Sequence, residues 1–415
     1  MKRWNRKKVF LVTSLILSII AIVLILIFVK FPQIFNPKAN SNKIGVRIGI
    51  VHAGGLYPNR QRQGDFLVYG ANDALSLGFQ SIEIFMDPRV CRSRPTGAYQ
   101  TLKYCKSNKN TEVLGDSLTA LAKQPDFQKV LDMPFKRFNL TIDTIDPDGA
   151  QQWELGGAQG AGVEPKLLTK KQLDATYKDF YDFTSYILER YKNSGKVFIF
   201  VNPSELDWHL TAYSGCRESA YVGNVDACID EPASNNAIKN EIDYLNTVAD
   251  AISQAKNDFQ VSGIQIYHAC EVNQVLRRSM RGKKSALTDV IPNTKCDLIA
   301  YSAHEARREA INRNDPEIIT SVLDFISEES DDSPVFGSKN IIISEIGLQE
   351  NILQNQDFND FYSRFIKSAL NWGVPYIQFW QLYEDRENGG LINIRSKNLD
   401  LTKTYDILYN LGRNK

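Results

Sequence analysis

From residue 44 onward the chain alternates between short apolar runs and longer amphipathic stretches. The short runs predict strands that are buried on both faces, and stretches with a period of 3.6 residues predict the helices that cover them. The predicted strands are residues 44–51, 81–85, 137–142, 197–201, 262–267, 297–301, 341–344 and 376–379. Eight strands that alternate with helices predict a single (β/α)8 barrel, the TIM barrel.

Helices are predicted between these strands. They cover residues 66–77, 113–123, 127–131, 170–191, 236–256, 316–327, 358–372 and 403–411. A doubly wound open sheet is the competing architecture. Neither G-x-G-x-x-G nor G-x-x-x-x-G-K-[ST] follows the first strand, which argues against a nucleotide-binding sheet of that kind.

The N-terminus carries an uncharged apolar segment, residues 9–29, preceded by five Lys and Arg residues within residues 1–8. Twenty-one residues suffice for a helix to cross the hydrocarbon core of a bilayer. No small-residue cleavage site follows, so an uncleaved signal anchor is predicted rather than a signal peptide. The basic tail 1–8 should stay cytoplasmic. The linker 30–43 and the barrel domain 44–415 should then lie outside the cell membrane, anchored by this single membrane-spanning segment.

The charge of the exported part is mildly acidic. Six of the 49 Lys and Arg residues lie within residues 1–30, which contain no acidic residue, so the remainder carries 43 basic against 48 acidic residues. Such a surface lacks the basic patch that binds a phosphate backbone, and no nucleic-acid partner is expected.

All six cysteines follow the predicted anchor. An even number in an oxidising compartment predicts disulfides, with free buried thiols as the alternative. Of the possible pairings the sequential one is favoured, namely Cys91–Cys105, Cys216–Cys228 and Cys270–Cys296. No C-x-x-C pair is present, which argues against a structural zinc site.

Polar and aromatic residues gather at the C-terminal ends of the predicted strands, where a barrel of this kind carries its active site. They include His52, Asn202, Glu205, Asp207, Trp208, His268, Glu271, Tyr301, His304, Glu345, Trp380 and Gln381. Aromatic rings stack on the apolar faces of sugars, while amides and carboxylates bind hydroxyl groups. The mixture therefore favours a carbohydrate site.

Two of these residues resemble the catalytic pair of the clan A glycoside hydrolases, which are retaining (β/α)8 enzymes. Glu205 follows strand four and Glu345 follows strand seven, 140 residues apart. The resemblance implies that Glu205 is the acid/base, that Glu345 is the nucleophile, and that Trp380 forms the floor of a sugar subsite. The clan usually has Asn and Glu adjacent, whereas Pro203 and Ser204 separate Asn202 from Glu205 here.

The expected function is thus a membrane-anchored extracytoplasmic glycosidase or transglycosylase that acts on a polysaccharide with retention and needs no cofactor or metal. Besides the two glutamates, the residues expected to bind substrate are Asn202, Asp207, Trp208, His268, Tyr301, His304, Trp380 and Gln381.

Two alternatives remain open at this point. A barrel could bind a glycan without cleaving it, because this fold serves many functions. A metal-dependent hydrolase would use His52, His268 and His304 with Asp385, although the His-x-His pair expected on strand one is missing.

Overall fold

The computed structural model describes residues 47–52, 66–86, 117–142, 163–203, 205–211, 231–347, 357–383, 394 and 400–413. These residues belong to one compact unit, Lys43–Lys415. Eight parallel strands, each hydrogen-bonded to the next and the last to the first, close into a barrel. They are β1 Ile48–Val51, β2 Ser81–Met86, β3 Arg137–Ile142, β4 Lys196–Val201, β5 Ile264–Val272, β6 Leu298–Ser302, β7 Ile341–Ile346 and β8 Ile377–Phe379. The predicted (β/α)8 barrel is confirmed.

Helices alternate with the strands along the chain. The α-helices of the described residues are α1 Phe66–Ser76, α2 Leu118–Ala122, α3 Pro125–Asp132, α4 Lys170–Tyr191, α5 Leu206–Thr211, α6 Asn235–Phe259, α7 His304–Arg313, α8 Ile318–Glu328, α9 Phe358–Trp372 and α10 Lys403–Arg413. The segment between β5 and β6 adds short helical turns at Ser279–Arg281, Ala286–Val290 and Ile291–Asn293.

The sequence directs alternate strand residues to the two sides of the barrel wall, because successive side chains of a strand point in opposite directions. On β4, Phe200 packs against Phe183 of α4 with ring centroids 5.1 Å apart, so it faces the helices. Its neighbour Ile199 therefore faces the barrel interior. His268 on β5 pairs with Phe200, and Tyr301 on β6 pairs with Val272. Since paired residues of neighbouring strands point to the same side of the sheet, His268, Val272 and Tyr301 also face the helices.

The N-terminal end of the barrel is filled by polar side chains that bind one another. Ser81 Oγ accepts hydrogen bonds from Arg137 Nε at 3.0 Å and from Gln378 Nε2 at 2.8 Å. Gly49 allows this packing, since a Cβ at that position would lie 1.8 Å from Gln378 Oε1. Because these side chains fill the N-terminal end of the barrel, a functional site is expected at the C-terminal end of the strands.

Four elements near the site differ from the prediction. β5 continues through Val272 and β7 through Ile346, so Glu271 and Glu345 lie within strands rather than after them. Helix α7 was not predicted because its sequence, HEARREAINR, is mostly charged and shows no apolar period. Helix α5, which begins immediately after Glu205, is too short to give a periodic pattern.

The predicted disulfide Cys270–Cys296 is present and joins β5 to the residues just before β6. The other two predicted pairs, Cys91–Cys105 and Cys216–Cys228, lie outside the described residues; non-reducing peptide mapping would test them. The predicted anchor 9–29 also lies outside them. Within the part of the chain that the structure describes, no helix is both long and apolar enough to span a membrane.

Candidate active site

The turn that follows β4 is fixed by Asn202. The Nδ2 group of this fully buried residue donates to the Ile142 carbonyl oxygen at 2.5 Å and to the Tyr244 hydroxyl at 3.0 Å. Because it is enclosed by β3 and α6, Asn202 does not reach a substrate directly. It holds the end of β4, from which the chain proceeds through a cis Asn202–Pro203 peptide to Glu205.

Glu205 is half-buried, and its backbone has φ of 53°, in the left-handed region. Its N–H group donates to Glu271 Oε2 at 2.7 Å. Ser302 Oγ at the end of β6 lies 3.5 Å from Glu205 Oε1. Glu205 therefore faces the interior of the barrel mouth, with β5 and β6 as its neighbours.

Glu345 reaches the same point from β7 through an irregularity in strand pairing. Tyr301 pairs with Ile343 and Ser302 pairs with Glu345, so Ser344 is an additional residue on β7. Such bulges redirect side chains near active sites. Here both Ser344 and Glu345 turn toward the barrel mouth: Ser344 Oγ donates to Glu271 Oε1, and Ser302 Oγ lies 3.5 Å from Glu345 Oε2.

Ser302 thus contacts both candidate catalytic glutamates. Since its hydroxyl oxygen is 3.5 Å from a carboxylate oxygen of each, those two oxygens are at most about 7 Å apart. Retaining glycosidases hold their two carboxyl groups about 5–5.5 Å apart and inverting ones about 6.5–9.5 Å apart. A separation of at most about 7 Å between these oxygens includes the whole retaining range but only the lower end of the inverting range.

The barrel mouth contains further buried carboxyl groups, which affect one another. Burial raises the pKa of Glu345 to about 7, against a smaller opposing effect of its hydrogen bond with Ser302. Burial, followed by the charges of Glu345 and Glu205, raises the pKa of Glu271 well above its ordinary value. Burial and the charge of Glu345 raise the pKa of Glu83 to about 8. Not all of these groups can be ionised together at neutral pH.

Glu83 lies on β2 and is anchored by β3. Thr141 Oγ1 donates to its Oε1 at 2.8 Å, and Asn139 Nδ2 donates to its Oε2 at 3.5 Å. A carboxyl group this enclosed, with a raised pKa, is neutral over most of the range below pH 8. It adds no full negative charge beside Glu345 at neutral pH.

An aromatic wall stands beside Glu345. The half-buried Trp380 ring lies edge-on to His304 and to Phe85, with centroids 6.4 and 6.3 Å apart. His304 Nε2 is 3.2 Å from Glu345 Oε2, and about 31% of the His304 side chain is exposed. Partial burial, then the charge of Arg307, lowers the pKa of His304 below its ordinary value. A neutral His304 can donate from Nε2 to an ionised Glu345.

The structure places Asp207 in a different role from the one expected. Its side chain is buried and accepts three backbone hydrogen bonds, from Asn273 at 3.0 Å, Gln274 at 3.1 Å and Ala286 at 2.8 Å. Asp207 therefore anchors the segment that follows β5 and does not line the cleft. Its neighbour Trp208 is half-buried on α5 and donates its backbone N–H to the Glu205 carbonyl at 3.0 Å.

His268 and Tyr301 face the helices rather than the barrel mouth. His268 is buried, with Nε2 4.0 Å from Cys270 Sγ, and its pKa is lowered to about 4, mainly by burial. The Tyr301 hydroxyl donates to Glu305 Oε1 at 3.3 Å and does not contact the expected nucleophile. Gln381 is buried, and its backbone carbonyl oxygen accepts a hydrogen bond from the Ile394 N–H group at 3.1 Å. Of the expected substrate-binding residues, His304 contacts Glu345, Trp380 lies against His304, and Trp208 contacts the backbone of Glu205.

The three histidines of the metal-hydrolase alternative lie in different surroundings. His52 is buried against the Tyr383 ring, with centroids 5.9 Å apart, while His304 contacts Glu345. Among the described residues, the one group of three potential ligands within 4.8 Å of one another is His268, Cys270 and Cys296. The two sulfurs of that group form a disulfide, which leaves no thiolate to bind a metal. Asp385 lies outside the described residues.

Four polar residues of the site were not assigned from the sequence: Glu83, Glu271, Ser302 and Ser344. A carboxylate within an apolar strand indicates a candidate site residue, and Glu83 in the strand SIEIFM is such a carboxylate. Glu271 is among the strand-end residues but received no role. The serines have no comparable signal, because a serine at a strand end is common.

Comparison with known proteins gives a structural likeness only. No protein-family model matches the chain, and no curated protein matches its sequence. A GH5_18 variant from Streptomyces cattleya, solved in complex with Manb1-4GlcNAc, matches with a TM-score of 0.53 and 10% identity, over 88% of this chain and 80% of that chain. GH5_18 from Bifidobacterium longum subsp. infantis matches with a TM-score of 0.50 and 8% identity, over 89% and 78%.

A third similar structure is the exo-beta-1,4-mannosidase Op5Man5 from Opitutaceae bacterium strain TAV5. Its TM-score is 0.50 at 12% identity, and the match covers 89% of this chain but 59% of that longer chain. At such identities the likeness shows the fold. The neighbouring structures are barrel glycoside hydrolases, as the resemblance of the strand-end glutamates predicted.

Proposed function

We propose that this protein is a retaining glycosidase or transglycosylase that acts on a polysaccharide through Glu205 and Glu345. The observation that carries the proposal is the contact of Ser302 with both carboxylates, which brings the ends of β4 and β7 together in the barrel mouth. The likeness of the fold to barrel glycoside hydrolases supports it.

In the proposed mechanism, protonated Glu205 gives its proton to the glycosidic oxygen while the Glu345 carboxylate attacks the anomeric carbon. The bond to the leaving oxygen breaks as a glycosyl ester forms on Glu345. Glu205, now ionised, removes a proton from water or from a sugar hydroxyl, which attacks the anomeric carbon and releases Glu345. Hydrolysis and transglycosylation differ only in this acceptor.

Ionisation of Glu345 is needed for the first step and is opposed by burial. Ser302 and neutral His304 stabilise the ionised form by donating hydrogen bonds to it. Because the pKa of Glu345 is about 7, activity on the acid side should rise with pH toward neutrality. Trp380 is positioned to stack on the sugar bound beside Glu345.

The substrates to screen first are β-linked mannosides. Two neighbouring structures carry this chemistry in their names, one as a complex with Manb1-4GlcNAc and one as an exo-beta-1,4-mannosidase. We propose a β-linked hexose polymer at the cell surface as the substrate class.

A stereochemical experiment tests the proposal. The purified domain 44–415 is incubated with a panel of β-linked oligosaccharides and aryl β-glycosides, and proton NMR follows the anomeric signals of the first product. We expect the β-anomer to appear first and the α-anomer only later by mutarotation. An α-anomer formed first would indicate inversion and reject Glu345 as nucleophile, and glycan binding without cleavage would support a silent binding barrel.

We also propose that residues 9–29 anchor the barrel outside a cell membrane, because this uncharged segment follows a basic tail. Protease added to intact cells that express the protein should then degrade the domain after residue 43, and a cytoplasmic marker should stay intact. Complete protection of the domain, with degradation after the cells are opened, would reverse the orientation.

A further inference from the structure

The carboxyl group of Glu271 connects the two proposed catalytic residues. Its Oε2 accepts the backbone N–H of Glu205 at 2.7 Å, and its Oε1 accepts the hydroxyl of Ser344, the residue before Glu345. Glu271 is about 1% exposed, so it is enclosed by the barrel and not available as a direct contact for a sugar. Glu271 can therefore act on catalysis through the two residues that it holds, Glu205 and Ser344.

The backbone of Glu205 needs such support. A residue with a Cβ in the left-handed region is strained and remains there only when the surroundings fix it. Glu205 has φ of 53° and directly precedes helix α5. The hydrogen bond from its N–H to a rigid strand fixes the backbone at the residue whose side chain must deliver the proton.

The second oxygen of Glu271 acts on the other proposed catalytic strand. Ser344 is the additional residue in the irregular pairing of β6 with β7. Its hydroxyl points inward to Glu271 rather than away from the barrel, which keeps the following residue, Glu345, directed at Ser302 and His304. One carboxyl group thereby holds both the left-handed turn and the strand irregularity.

We propose that Glu271 is a positioning residue, which holds Glu205 and the Ser344–Glu345 segment in register with each other. The inference rests on the function proposed above, and it adds a third carboxyl group to the catalytic pair.

Electrostatics give a second effect of Glu271. The titratable groups that influence it are Glu345, Glu205 and Glu83, and all of them raise its pKa beyond the effect of burial. Glu271 and Glu345 therefore titrate as a coupled pair, and a proton on one favours ionisation of the other. The charge of Glu345 favours the protonated form of Glu271, and that form adds no negative charge beside Glu345.

Two substitutions test whether the hydrogen bonds of Glu271 position its neighbours. Glu271→Gln keeps an amide oxygen for the Glu205 N–H and an amide NH₂ group for Ser344 Oγ, but it cannot ionise. Glu271→Met has a similar volume and removes both hydrogen bonds. Glu241→Met is the matched control, since Glu241 is also fully buried but lies on α6, where its Oε1 is 2.7 Å from His209 Nδ1.

We expect Glu271→Met to lower kcat/KM by about 30–100-fold, since small displacements of a catalytic group have effects of that order. Glu271→Gln should stay within about threefold of wild type at its optimum. The acid limb of its pH profile should keep its wild-type position, because burial and not the charge of Glu271 raises the pKa of Glu345. Glu241→Met should leave the position of the acid limb unchanged, even if it lowers the melting temperature.

Structures of the variants provide a readout that does not depend on activity. In crystals of Glu271→Met, the backbone of Glu205 should leave the left-handed region, whereas in Glu271→Gln it should remain there. If the wild-type protein cleaves no glycoside, the proposed function fails but this structural comparison still tests positioning. An unmoved Glu205 in a folded Met variant would overturn the inference. So would equal activity losses in the Gln and Met variants.

Discussion

Glu345→Ala is expected to reduce kcat/KM on a cleaved glycoside by about 10⁴-fold or more, because loss of a nucleophile removes the covalent route. The fold should persist, since the Glu345 carboxyl group is buried among polar side chains at the barrel mouth and is not part of the apolar core. Initial rates for wild type and variant, with thermal unfolding of both, measure these two expectations.

The same variant should show a defined pH dependence of stability. The pKa of Glu345 is raised to about 7 in the folded protein from about 4.5. Its contribution to stability is therefore complete below about pH 4.5 and is lost as pH rises through about 7. Glu345→Ala removes this loss, so its free energy of unfolding relative to wild type should be more favourable at pH 8 than at pH 5.

A suitable control is Glu309→Ala on α7, where the carboxylate forms an ion pair with Arg313 at the surface. That variant should retain wild-type turnover and its pH dependence. Wild-type turnover in a folded Glu345→Ala protein would contradict the assignment of the nucleophile.

The largest loss of stability is expected from Asp207→Ala. The substitution leaves the backbone N–H groups of Asn273, Gln274 and Ala286 without their acceptor. An unsatisfied buried donor costs about 1–3 kcal/mol, so the three together should lower the free energy of unfolding by on the order of 3–6 kcal/mol. Equilibrium denaturation by urea measures this change.

Asp207→Asn refines the test. An amide keeps one acceptor oxygen and turns its NH₂ group toward at least one of the N–H donors, so a smaller loss of about 1–3 kcal/mol is expected. Asp174→Ala, which removes an exposed ion pair with Lys170, is the control and should change stability little. If Asp207→Ala had unchanged stability but reduced glycan affinity, Asp207 would instead be a glycan-binding residue of the cleft.

The architecture could be predicted from the sequence because it depends on local patterns. Strands buried on both faces read as apolar runs, and the helix Lys170–Tyr191 matches its amphipathic pattern at both ends. Glu205 and Glu345 could be placed near one another for a topological reason. The C-terminal ends of all strands in a closed parallel barrel meet at one face, whatever their separation in sequence.

Which side chains face that site could not be predicted in the same way. The spacing of residues near a strand end does not show where the strand stops, and β5 extends five residues beyond its predicted end. Within a strand, facing alternates, so His268 and Tyr301 turn to the helices while Glu271 and Ser302 turn inward. Asp207 was expected in the cleft because a carboxylate near a site resembles a ligand-binding group, but its partners are backbone groups 66 to 79 residues away.

The sequence by itself determined the barrel, the Cys270–Cys296 pair and the two strand-end glutamates as candidates. Only the tertiary structure decided how those glutamates are held. The irregular pairing at Ser302↔Glu345 and the left-handed backbone of Glu205 both rest on Glu271, a residue from a third strand. Hydrogen bonds between strands far apart in sequence leave no periodic signal, because their strength depends on register and burial that exist only in the closed barrel.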